Sequence, residues 1–241
     1  MQLTNYTDNL PVSKTFIERF DKAAALAREG KYEEALHAYD NLHAPFEDQN
    51  EARLMTGEFM GMIELRKAYC LMDLKHYDKA REIFESKLVE AALGQFNKAT
   101  LYDYFFSYGN TLGFLGAIKE MNKVMAKALQ IATQELDDLK KCEDTWYWIM
   151  YWAKKHKRWV DLEEQCVNAH KFGVRNKSIV LQVRAGEFGC FAYRGLGKID
   201  KAKRGARIII KRYKDAKASE EVIREWEDFL DSLNKGQVLT G

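Results

Sequence analysis

Apolar residues recur at helical spacing along this chain, and the recurrences themselves repeat. EGKYEEALHAY spans Glu29–Tyr39, LKHYDKAREIF spans Leu74–Phe84, HKRWVDLEEQC spans His156–Cys166 and LGKIDKAKRGA spans Leu196–Ala206. Each sets Gly or Lys, one residue, an aromatic or Ile, two polar residues, then a small or aliphatic one. A looser copy is LGAIKEMNKVM, Leu115–Met125. The anchors Ala35, Ala80, Met121, Leu162 and Ala202 lie 45, 41, 41 and 40 residues apart. A fixed period of that size marks stacked supersecondary units.

The pattern fits a helical hairpin. Gly30 and Gly197 end one helix, where a left-handed residue costs glycine little. Glu33 and Glu34 open the next helix, where the helix dipole favours negative charge. Ala35, Ala80 and Ala202 are small enough for two helices to approach closely. Tyr39, Phe84 and Cys166 follow four residues later on the same face. Hairpins are expected at about 16–44, 50–93, 98–140, 144–173 and 178–216. A last helix, about 219–233, opens at Ser219 with Glu220 and Glu221 in its first turn. No Gly/Ser-rich linker divides the chain. The expected organisation is a polar lead over 1–15, one repeat domain over 16–217, and a capping helix with a short tail over 218–241.

The repeat resembles the tetratricopeptide (TPR) family. The fourth unit matches its signature at Trp146, Ile149, Trp159 and Ala169. The third matches at Phe105, Tyr108, Gly109, Leu112, Gly116 and Ala128. The resemblance covers about residues 16–216. The period is longer than the family's ~34 residues, and the family's repeat-ending proline is missing throughout. The resemblance implies an all-α fold: a right-handed α-solenoid of about five hairpins plus a C-terminal capping helix.

It also implies that the first helix of each hairpin lines a concave groove. The residues projected there include Phe20, Leu65, Arg66, Tyr69, Asp103, Phe106, Asn110, Tyr147, Trp148, Tyr151, Lys154, Lys155, Arg184, Phe191 and Arg194. Aromatics and arginines offer large contact area and donors to a peptide. Asn110 could pair with a peptide amide. The carboxylate clamp of chaperone-binding members is missing, because Phe20 and Ala24 stand where it needs Lys and Asn. An acidic, hydrophobic peptide or a partner helix suits the lining better. A C-terminal helix folded back would fill the same groove.

The stretch DTWYWIMYWAKKHKRW, Asp144–Trp159, holds four of the five tryptophans. The repeat phase divides it. Trp146, Ile149, Met150 and Ala153 face the hairpin core. Asp144, Tyr147, Trp148, Tyr151, Lys154 and Lys155 face the groove.

Composition narrows the function further. The 241 residues are 46% hydrophobic and 31% charged, with a net charge of +2. No global field draws the chain to nucleic acid or an anionic membrane. The strongest basic cluster, KAKRGARIIIKRYKDAK over Lys201–Lys217, faces an acid-rich final helix that complements it. The N-terminal residues form no secretory signal, and no apolar run is long enough to span a membrane. Four separated cysteines and five scattered histidines suggest neither disulfides nor a metal site. No nucleotide-binding or nucleophile motif is present.

No cofactor is called for, and a non-enzyme is expected. The reading is a cytoplasmic protein- or peptide-binding adaptor, assembly factor or co-chaperone. Two alternatives are a peptide sensor that changes pitch on binding and a homo-oligomeric scaffold.

Overall fold

The computed structural model describes residues 14–43 and 57–235. The expected lead at 1–15 lies outside them except for its last two residues. Pro11, Pro45 and the tail beyond residue 235 also lie outside.

Among the described residues the secondary structure is all helical. The helices are α1 (Lys14–Arg28), α2 (Tyr32–Asp40), α3 (Gly57–Asp73), α4 (Tyr77–Phe84), α5 (Lys87–Ala92) and α6 (Lys98–Phe114). They continue with α7 (Ile118–Gln134), α8 (Leu139–Lys155), α9 (Trp159–Arg175), α10 (Ile179–Gly195), α11 (Ile199–Asp215) and α12 (Glu220–Asn234). A 3-10 turn, Asn41–His43, follows α2. The fold is an all-α helical-repeat solenoid.

The hairpin turns share one chemistry. Eight helices, α1, α3, α6, α7, α8, α9, α10 and α11, are followed by a residue with positive φ: Gly30, Lys75, Gly116, Asp137, Lys157, Lys177, Gly197 and Lys217. At each, two backbone N–H groups turn back to the helix end. After α1, Gly30 donates to the Ala27 carbonyl and Lys31 to that of Leu26. After α9, Lys177 donates to Val174 and Ser178 to Gly173. The paired bonds satisfy carbonyls that the helix leaves open. Gly30 and Gly197 thus occupy the expected conformation, and the lysine copies of the motif adopt it too.

Helix starts vary more. Ser86, Asn97, Asp138 and Ser178 each accept a hydrogen bond from the backbone N–H three residues on. Ser219 stands before α12, but its side chain makes no capping bond; the acidic pair Glu220 and Glu221 follows as expected. The second hairpin also differs from expectation. Its second half is two short helices, α4 and α5, because the chain turns at Glu85 and restarts at the Ser86 cap.

The contacts sort into two compact units, Met1–Ala128 and Leu129–Gly241. The division falls inside α7, not at a linker. In the first unit α1 to α6 share a core that includes Phe16, Phe20, Ala35, Tyr39, Ile63, Leu65, Ala80 and Phe84. Gly61 brings α3 against α5: a Cβ there would lie 2.3 Å from that of Ala92. In the second unit Trp146, Ile149, Met150 and Ala153 are buried, as the repeat phase requires. Cys190, Ala206, Ile209, Ile210 and Trp226 join α10, α11 and α12. The basic and acidic helices meet through Lys214 and Glu227, at 2.7 Å. Both side chains are about half exposed, so the pair adds little stability.

Two stability measurements test this account. Lys75→Gly and Lys177→Gly should each raise stability by about 0.5–1 kcal/mol in urea denaturation, because glycine removes the left-handed penalty. Gly195→Ala should lower it by roughly 1–3 kcal/mol, because a Cβ there would lie 2.2 Å from the Trp159 ring.

Candidate functional site

The first helices of the hairpins carry the projected stripe, and each unit gathers part of it into a cavity. In the Met1–Ala128 unit a cavity of about 340 Å³ is lined by Asp21, Ala24 and Arg28 from α1 and by Arg66, Tyr69 and Asp73 from α3. Tyr32 and Tyr39 of α2 complete its wall. The Arg66 guanidinium sits 6.0 Å from the Tyr69 ring centre. Burial pushes the Tyr69 phenol up, and nearby Asp103 adds to the shift. Burial also raises the Asp73 carboxyl, against an opposing hydrogen bond from Tyr32. Two arginines and two aspartates line this cavity, so its formal charge is balanced.

Several projected residues in this unit lie elsewhere. Phe20 and Leu65 are 3% and 1% exposed and belong to the core. They occupy equivalent places in two repeats, at the edge of the stripe, where an apolar side chain turns inward. Phe20 meets Tyr39 edge to face at 5.6 Å. Asn110 is buried as well, so it offers no amide to a peptide in this conformation. Phe106 stacks on the buried Tyr102 at 5.5 Å, half covered, and Asp103 is also half-buried.

In the Leu129–Gly241 unit a cavity of about 520 Å³ lies among α8, α10 and α12. Tyr147 and Lys154 come from α8, and Glu187, Phe188, Phe191 and Arg194 from α10. The remaining wall is Glu225, Trp226, Asp228, Phe229 and Ser232 of α12. Six of these, Tyr147, Lys154, Glu187, Phe188, Phe191 and Arg194, were projected from the repeat phase.

The rings and cations are closely matched. Lys154 Nζ lies 3.5 Å from the Phe191 ring centre, and the Arg194 guanidinium lies 5.6 Å from it. Arg194 also covers Phe229 at 4.9 Å, and Arg184 covers Tyr147 at 4.9 Å. Such contacts attract through the ring quadrupole, more strongly where water is excluded. Among the described residues neither Lys154 nor Arg194 has an ion-pair partner within 4 Å. Burial pulls the Lys154 ammonium down, and repulsion from Arg194 adds to it; Glu187 opposes both. Burial lowers Arg194 as well.

Glu187 is the acid at the centre. Burial raises its carboxyl, while hydrogen bonds from Tyr213 and Trp226 and the charges of Arg184 and Lys154 oppose the rise. The other projected residues sit beside the cavity. Trp148 and Tyr151 form a ring cluster with Tyr147 and the fully buried Trp152. Lys155 is exposed, with Nζ 4.8 Å from the Trp152 ring centre. Asp144 pairs with Lys140 on the surface of α8 at 2.9 Å.

The repeat phase did not reveal the α12 wall. Trp226 and Phe229 pack on Phe191 at 5.8 and 5.1 Å. The helical stripe Val222, Trp226, Phe229 and Leu233 was the available signal. The helix does fold back, but it forms a wall and leaves the cavity open.

With this geometry in view, two crystal structures share the architecture. Both are of the nearly identical TPR-like repeats of a kinesin light chain-like protein from Podosopora anserina, one of them a point variant. Each superposes with a TM-score of 0.62 at 11% identity. The variant covers 84% of this chain and 96% of its own, and the other covers 82% and 95%. No family model and no curated protein matches the sequence. The fold is therefore TPR-like. No helix among the described residues is long and apolar enough to cross a membrane.

Glu187 makes this site's stability pH-dependent. Its raised folded-state value means the native protein holds the proton more tightly than the unfolded chain. Its contribution is full at pH below the ordinary carboxylate value of 4.5 and is lost as pH rises through the folded value. Wild type should therefore lose stability relative to Glu187→Gln as pH is raised from below 4.5. Urea midpoints of the two proteins across that range measure the divergence.

Proposed function

We propose that this chain is a non-catalytic scaffold that binds a peptide or a segment of a partner protein in the aromatic–cationic cavity of its Leu129–Gly241 unit. One observation carries the reading: Lys154 and Arg194 both lie over the Phe191 ring, are partly desolvated, and have no carboxylate within 4 Å among the described residues. Desolvated cations of like sign are a standing cost that an incoming carboxylate would relieve. The rings beside them give an apolar side chain a place to bury. A segment presenting both groups uses the whole cavity.

The mechanism is preorganisation. Phe191, Trp226 and Phe229 hold one another in place, so the protein loses little rotamer freedom on binding. The setting that fits is that of a cytoplasmic adaptor, assembly factor or co-chaperone. The four cysteines are buried and unpaired, which accords with a reducing compartment.

A displayed random-peptide library, panned on the full chain, tests the reading. Recovered peptides should be enriched in acidic and large apolar residues. By titration calorimetry, Arg194→Ala should weaken each by roughly tenfold or more, while circular dichroism shows the variant folded. Recovered peptides that bind Arg194→Ala and Tyr147→Ala as tightly as wild type would refute the cavity as the site.

A further inference from the structure

The helix α9 divides cleanly into two faces. Its inner face, Leu162, Cys166, Ala169 and Gly173, is buried against α8 and α10. Its outer face carries Val160, Glu164, Val167, Lys171 and Val174, all exposed. The three valines are 68%, 44% and 54% exposed, at seven-residue spacing. Water-facing β-branched residues gain nothing for a solitary helix, since valine is a poorer helix former than the alanine, glutamate or lysine such positions usually take. Seven-residue spacing is the seam spacing of a helix that packs on another helix.

The order of the stripe selects the partner. It reads apolar, acidic, apolar, basic, apolar. Reversed, the apolar places fall on apolar places and the acid falls on the base. An antiparallel second copy therefore sets Val160 opposite Val174, Val167 opposite Val167, and Glu164 opposite Lys171 twice over. A parallel copy would set Glu164 against Glu164 and Lys171 against Lys171. Beside the stripe, a groove of about 400 Å³ runs between α9 and α11 over Gly186 and Gly189 of α10. Exposed Ile208 of α11 lines it with Val167. At Gly189 a Cβ would meet nothing within 4 Å, so the floor is open to an incoming side chain.

We propose that two copies of this chain associate through α9, antiparallel across a twofold axis at Val167. The patch is self-complementary, as an isologous interface requires. A seam of one helix, about 25 Å long, is small for a permanent dimer, so the association is a reversible one. The peptide cavity is lined by α8, α10 and α12, and α9 contributes no residue to it.

Charge exchange on the full chain tests both contact and orientation. In sedimentation equilibrium the wild type should show a monomer–dimer equilibrium. Glu164→Lys makes the stripe wholly basic and Lys171→Glu makes it wholly acidic. Each alone should raise the dimer Kd by roughly tenfold or more. Mixing the two variants should restore association as a heterodimer, and the double exchange Glu164→Lys/Lys171→Glu should restore the homodimer. Both positions are exposed, so circular dichroism should be unchanged. Separately, Val167→Cys should form an intermolecular disulfide, while Val160→Cys should cross-link to Val174→Cys and not to itself. A wild type that stays monomeric at the highest concentration reached would overturn the proposal. So would a dimer indifferent to the charge variants, or one in which Val160→Cys cross-links to itself.

Discussion

The left-handed residue at the end of a helix is the constraint on which this architecture depends. A hairpin needs its second helix to leave at a fixed angle, and the chain has only the turn with which to set it. Positive φ at Gly30, Lys75, Gly116, Lys157, Lys177, Gly197 and Lys217 reverses the chain within two residues. The two returning N–H bonds then lock that reversal to the helix just completed. Because the same geometry recurs, the anchors Ala35, Ala80, Met121, Leu162 and Ala202 all arrive at fully buried places. Four of these turns place lysine where glycine would be cheaper. The paired hydrogen bonds and the packing that follows offset the strain.

Close approach is the second consequence of that regularity. Helices held at repeated angles meet at repeated places, and only small residues fit there. Gly195 admits the Trp159 ring, Gly205 admits the Cys190 sulfur, and Gly61 admits Ala92. In the second unit they set α10 against α9 and α11, and Phe191 of α10 lies beneath both Lys154 and Arg194. Two cations that water would normally separate are held over one ring, with Glu187 buried among the donors that temper its raised proton affinity.

The turns, the hairpin order and the core face of α8 were legible in the sequence because they depend on local spacing. Trp146, Ile149, Met150 and Ala153 were read as core and are core. The motif that places Gly or Lys two residues before an aromatic or Ile also marked the left-handed turns, though it was read as a glycine signal. The groove was legible only in part. A stripe projected at helical spacing has edges, and at an edge the side chain's own chemistry decides its direction. Phe20 and Leu65 turned inward, while Arg66 and Tyr69 stayed at the cavity. The α12 wall depends on how a separate helix packs, which no periodicity within the repeats could report. The break between α4 and α5 was missed because Ser86 lies inside a pattern that is otherwise continuous.

The outer face of α9 illustrates a limit of a different kind. Repeat logic assigns residues to core or groove and treats the rest as solvent-facing. Val160, Val167 and Val174 match no repeat signature, so they carried no signal until burial separated the helix into two faces. Their spacing then acquires meaning from what lies between them. Three exposed valines alone would be an unremarkable scatter. Interleaved with Glu164 and Lys171 in an order that complements itself only when reversed, they specify a direction of approach as well as a surface. Helices α8, α10 and α12 line the cavity, and the intervening α9 presents its outer side without contributing a residue to it.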